Sequence, residues 1–122
     1  MKMTYTLFLL CALMTSGCQA AQCDSSIVAP FFDEPVEVFG PFSVEEVEQR
    51  QMVEIVVDGD RKMVPFGYIN ESWQDLKAQM LPGDCLFFYR SDDASWEALH
   101  GREGYILFRD NAPVDAILTK VS

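Results

Sequence analysis

The strongest constraint on this chain lies in its first seventeen residues. Met1-Lys2-Met3 carries one cation beside the amino terminus, and an uncharged run from Thr4 to Met14, dominated by Leu, Phe, Ala and Met, follows it. Thr15, Ser16 and Gly17 are small, and Cys18 comes next. A cation, a short apolar run and then small residues are the order of a secretory signal. A run of about eleven residues is too short for a spanning helix, which needs ~20. The competing reading, a buried N-terminal helix, would need an apolar stripe, and this run is apolar all round. Without the 17 residues of the leader, the chain of 122 keeps 105. That length supports one modest core and not two.

Met14-Thr15-Ser16-Gly17-Cys18 resembles the lipobox of bacterial lipoproteins. The resemblance covers the leader alone. It implies that the Cys18 thiol receives a diacylglycerol group, that cleavage makes Cys18 the first residue, and that its amine is then acylated. Gln19 follows the anchor, and in that family a residue other than Asp there leans toward the outer membrane. Cys18 and Ala20 also stand in A-x-A-like positions, so ordinary cleavage after Ala20, giving a soluble periplasmic or secreted protein, is the alternative.

Cys11 leaves with the leader, and Cys18 is acylated or removed. Two thiols remain, Cys23 and Cys85, 62 positions apart. In an oxidising compartment a bridge between them is the expectation; two unpaired cysteines are the alternative. No cluster of Cys or His surrounds either one, so no metal site is expected. A bridge would leave only residues 19–22 between the anchor and a fixed point on the domain.

Charge narrows the partners. Once Lys2 is gone, eight Lys+Arg face nineteen Asp+Glu, a net charge of −11. Nucleic acid is excluded as a partner, because phosphate binding needs a basic footprint. Residues 24–60 hold ten acids and only Arg50, whereas residues 61–122 hold nine acids and seven bases. An acidic half attracts a basic protein; a plain solvated face that keeps the domain soluble is the competing reading.

The local signals describe an antiparallel α+β domain. Pro30, Pro35 and Pro41 block a helix before residue 42 and leave room for a short strand at 36–39. Ser43 and Glu46 have capping-box spacing for a short helix. Residues 52–57 are rich in β-branched side chains, Asp58-Gly59 is a hairpin turn, and 60–66 returns. Ser72 is placed to cap a helix, with Asp75 three residues on and Trp73, Leu76 and Met80 on one stripe. Pro82-Gly83 stops it. Cys85 to Tyr89 is an unbroken apolar strand, the pattern of a central position covered on both faces. Ser91-Asp92-Asp93 opens a short helix, with Trp96 and Leu99 expected inward and Gly101 as its C′ residue. Tyr105–Phe108 and Val114–Leu118 are strands around an Asp110-Asn111 turn. The expected fold is a small antiparallel sheet of about five strands with two short helices. Residues 18–30 form a tether, and 31–122 a single domain.

Motifs that carry chemistry are absent. There is no G-x-S-x-G elbow, no phosphate loop and no C-x-x-C pair, and no cofactor is expected. His100 is the only histidine. It is read first as a capping or surface residue, and as a general base only if a partner stands beside it. Trp96, Leu99, Gly101, Arg102, Gly104, Tyr105, Leu107 and Arg109 spell W-x-x-L-x-G-R-x-G-Y-x-L-x-R. With the following V-x-x-I-x-T strand, this resembles the C-terminal part of a group of small uncharacterised bacterial proteins, over residues 82–119. The group brings no activity with it. Arg102 and His100 are the residues that could face a ligand. The expectation is an envelope protein held to the membrane through Cys18, working as an acidic interaction module and not an enzyme. The alternative is a periplasmic inhibitor of a cationic enzyme such as a lysozyme or toxin.

Overall fold

The computed structural model describes residues 23–121. The leader, the lipidation position Cys18 and the alternative cut after Ala20 lie outside the described residues. Six strands make two antiparallel sheets. The larger has the order β1-β4-β5-β6, with β1 at Val36–Phe42, β4 at Cys85–Ser91, β5 at Arg102–Arg109 and β6 at Ala112–Val121. The smaller is the hairpin of β2 (Met52–Val57) and β3 (Asp60–Pro65). Three short helices, α1 (Val44–Arg50), α2 (Asn70–Ala78) and α3 (Asp93–Glu97), join these pieces. The class is α+β, as expected.

Strand β4 is central, between β1 and β5, and its alternate residues enter two separate cores. Leu86 joins Tyr105, Leu107 and Ile117 beneath Val47, Phe66, Trp73 and Leu76. Cys85, Phe87 and Tyr89 join Ile106 and Phe108 beneath Val28, with Cys23, Ile27 and Phe32 packed at the margin. This explains the run without a polar break: both faces are covered, so both sets of alternate side chains are wholly or partly buried. Residues 24–30, read from the sequence as tether, are part of the fold. They form two single turns of 3-10 helix, Ser25–Ile27 and Ala29–Phe31, and Val28 between them is fully buried. Apolar side chains at 27, 28 and 32 gain more by covering the sheet than a solvated leash would.

Both hairpin turns have two central residues at positive φ: Asp58 and Gly59 in one, Asp110 and Asn111 in the other. These are the conformations that Asp, Asn and Gly tolerate best, and their twist matches the flanking strands. The Ser43–Glu46 capping box forms in full. Three local expectations are corrected. Helix α2 begins at Asn70, two residues before the expected cap, because the 3-10 turn Gly67–Ile69 feeds straight into it; the Asn70 amide donates to the Pro65 carbonyl at 2.9 Å. Ser72 is therefore inside the first turn, and α2 has no side-chain cap. Leu99 does not face inward. Helix α3 ends at Glu97, Leu99 itself takes the left-handed conformation at φ 64°, and its side chain is 76% exposed. Gly101 is thus not the helix C′ residue. It is needed for another reason: a Cβ there would run into the Trp96 indole.

Candidate functional site

Two ends of the large sheet carry different chemistry. At one end Cys23 and Cys85 lie at disulfide distance, with Cα atoms 5.9 Å apart. The pair borders a recess of about 560 Å³ floored by Ile27, Phe87 and Phe108 and rimmed by Asp24, Asp110 and Asn111. Beside it, Arg109 donates to both oxygens of Asp84 at 2.8 Å and to the Gln79 carbonyl at 2.9 Å. The Arg109 hydrogen bonds hold the Asp84 carboxyl below the ordinary aspartate range, against the opposing effect of burial. This clamp fixes the loop that delivers Cys85 to the sheet.

At the other end, Arg102 and His100 meet one carboxylate, Glu34. Arg102 Nε donates to Glu34 Oε1 at 2.7 Å, and His100 Nδ1 stands 3.7 Å from Oε2. The Ser91 hydroxyl donates to Glu34 at 3.4 Å and accepts from the Arg102 backbone N–H at 3.0 Å. The Arg102 hydrogen bond is the main reason the Glu34 carboxyl is held low. The two candidate ligand-facing residues are therefore brought together, at a shallow recess that Gly101 and Val121 also line. Their partner already occupies them. The partner that stands beside His100 is thus the Glu34 carboxylate, which Arg102 shares.

Sequence reading missed Glu34, which lies 68 positions from Arg102; in so acidic a chain no local signal separates it from its neighbours. It also missed Glu48, which accepts from the Trp73 indole at 2.8 Å and from Lys77 Nζ at 2.9 Å. Both bonds, the Trp73 one foremost, hold the Glu48 carboxyl low.

The acidic half remains exposed. Asp24, Asp33, Glu37, Glu45, Glu46, Asp58 and Asp60 all face solvent, and none has an ion pair among the described residues. Arg50, the one cation of that half, lies over the Phe42 ring at 4.6 Å. Among the described residues, no group of three or more His, Cys, Asp or Glu is placed to hold a metal ion, and no helix is long and apolar enough to cross a membrane. The fold and its two ends define a small α+β domain with an acidic, mostly unpaired surface. Comparison with family models, with curated proteins and with solved structures gives no match to this chain.

Proposed function

We propose that this chain is a lipid-anchored protein of the cell envelope, leaning to the outer membrane, that binds another envelope protein through its acidic surface and does not catalyse. The observation that carries the reading is the position of Cys23. It lies at disulfide distance from Cys85, five residues after Cys18. A tether of residues 19–22 spans less than about 20 Å even when fully extended. An acylated Cys18 would hold the Cys23–Cys85 end of the sheet against the bilayer and turn the Glu34–Arg102 end away from it. Several acyl chains hold firmly where one holds marginally.

Apart from Glu54, which pairs with Arg61, the exposed carboxylates of residues 24–60 make no ion pair among the described residues, and this favours a basic partner. The same observation supports the second reading, inhibition of a cationic enzyme. Intact mass of the mature protein tests the anchor: a diacylated or triacylated Cys18 is expected, and a chain beginning at Ala21 refutes it. Capture of partners at low and high salt tests the binding surface. Retention that weakens with salt is expected, and salt-independent retention refutes the electrostatic part. Inhibition of basic muramidases separates the second reading from the first.

A further inference from the structure

The β2–β3 hairpin is a sheet of only two strands, and most of its residues are exposed. Val53 is 44% exposed, Val56 54% and Met63 61%. A two-stranded hairpin alone is marginal in water, and a third strand or a covered face normally supports it. The cover here is slight: Gly67 lies under Val53 and Ile55, and the Phe66 N–H ties the hairpin base to the Gln51 carbonyl at 2.7 Å.

The turn determines which backbone groups face outward. The ladder closes at Val57 opposite Asp60 around two residues of positive φ. In such a hairpin the closing pair exchanges both backbone hydrogen bonds, and so does every second pair after it. Val57, Ile55 and Val53 therefore bond to β3, while Val56, Glu54 and Met52 direct their N–H and C=O groups away from it. The Tyr68 hydroxyl agrees, standing 3.5 Å from both the Val56 nitrogen and oxygen. These are long contacts from a ring that is 78% exposed, and a docking strand would displace them.

We propose that β2 pairs antiparallel with β2 of a second copy of this chain, about a two-fold axis at Ile55, to make one four-stranded sheet from two hairpins. The register argues for a second copy. Centred on Ile55, Ile55 meets its own equivalent, Val53 meets Val57, and Glu54 meets Val56. One face of the joint is then lined by β-branched side chains in close cross-strand pairs. Centring on Glu54 would oppose two carboxylates, and centring on Val56 would oppose Glu54 to Asp58. Centring on Val53 would leave Val56 and Val57 outside the pairing. The β3 edge is a poorer template, since Pro65 lacks an N–H and a centre at Lys62 would oppose two ammonium groups.

Charge also selects this place. Two copies at −11 repel, but Glu54 is paired with Arg61 at 3.4 Å and Lys62 lies beside it in sequence, so the hairpin is nearer neutrality than residues 24–50. The inference does not depend on the anchor. The test is oxidation with copper-phenanthroline of the purified full-length chain carrying Ile55→Cys, with the unsubstituted chain as blank. Closely spaced antiparallel partners suit a disulfide, so about tenfold more covalent dimer is expected from Ile55→Cys than from Val56→Cys, which meets Glu54 and no thiol. If Ile55→Cys does not fold, Val53→Cys mixed with Val57→Cys reads the same register. Dimer yield is expected to rise with salt, as screening relieves repulsion between acidic copies. Binding of a basic partner goes the opposite way, so failure of one reading is distinguishable from failure of the other. A chain that stays monomeric, or equal cross-linking at positions 55 and 56, overturns the proposal.

Discussion

Arg109 grips Asp84 with both arms of its guanidinium, Nε to Oδ1 and Nη2 to Oδ2, each at 2.8 Å. The Asp84 side chain is only 2% exposed and also accepts from the Leu81 backbone N–H at 2.9 Å. The pair locks the α2–β4 loop onto the end of β5, next to the cysteine pair. Arg109→Met leaves the Asp84 carboxylate without its cation and is expected to lower Tm by roughly 5–10 °C for a domain of this size. Arg109→Lys keeps the charge but not the fork and falls between the two. Thermal unfolding of the three proteins followed by circular dichroism checks the order. Equal midpoints would show that the clamp contributes nothing.

The cysteine pair closes a loop of 62 positions. Constraining the unfolded chain over that length contributes roughly 4 kcal/mol in the chain-entropy model. Reduction, or Cys85→Ser, is expected to lower stability by about that amount and to release residues 24–32 first, since their cover of Phe87 and Phe108 begins at Cys23. Limited proteolysis with and without reductant reads this directly. Cleavage before residue 32 is expected to appear only after reduction.

Legibility followed sequence distance. The Asp58-Gly59 and Asp110-Asn111 turns, the Ser43–Glu46 box and the double burial of β4 are set by residues within a few positions of one another, and all were readable. Cys23 and Cys85 were expected as a pair only because the leader reading set Cys11 and Cys18 aside, and the two cysteines do lie at disulfide distance. The cover of the second core by residues 24–32 was hidden because prolines mark a segment as non-helical without saying which surface it lies on. Glu34 meeting Arg102 was hidden for the same reason as any long-range ion pair: nineteen acids offer too many partners, and only the fold chooses. Leu99 misled because a helical stripe was extended past the point where the helix ends.

Gly104 sits where β5 bulges against β6, and a Cβ there would collide with the Ile117 backbone carbonyl. A backbone atom in a paired strand cannot step aside as a side chain can. Gly104→Ala is expected to destabilise by about 3 kcal/mol, the upper end for overpacking. Gly59→Ala is its control. A Cβ at Gly59 meets nothing within 4 Å, and only the strain of φ 84° opposes it, so its cost is about 1 kcal/mol. Denaturant midpoints of the two variants separate steric collision from conformational strain. The reverse ranking would mean that β6 yields at the bulge.

Acid titration tests the three carboxylates together. Glu34, Glu48 and Asp84 are all held below the ordinary values of 4.5 for glutamate and 3.8 for aspartate, chiefly by Arg102, Trp73 and Arg109 respectively. A carboxyl whose folded pKa is depressed binds protons more readily in the unfolded chain. Its contribution is therefore complete above the ordinary value and is lost as the pH falls through 4.5 and 3.8 and on toward the folded values. Stability is expected to be flat from neutral pH to about pH 5 and to decline steadily below it. Glu48→Gln keeps an acceptor for the Trp73 indole but cannot titrate, so its decline should be shallower than that of the unsubstituted chain, from a lower plateau. Urea unfolding across this range reads both slopes. Parallel curves for the two proteins would mean that Glu48 binds protons equally in the folded and unfolded states, and that the Trp73 and Lys77 bonds to it do not persist in solution.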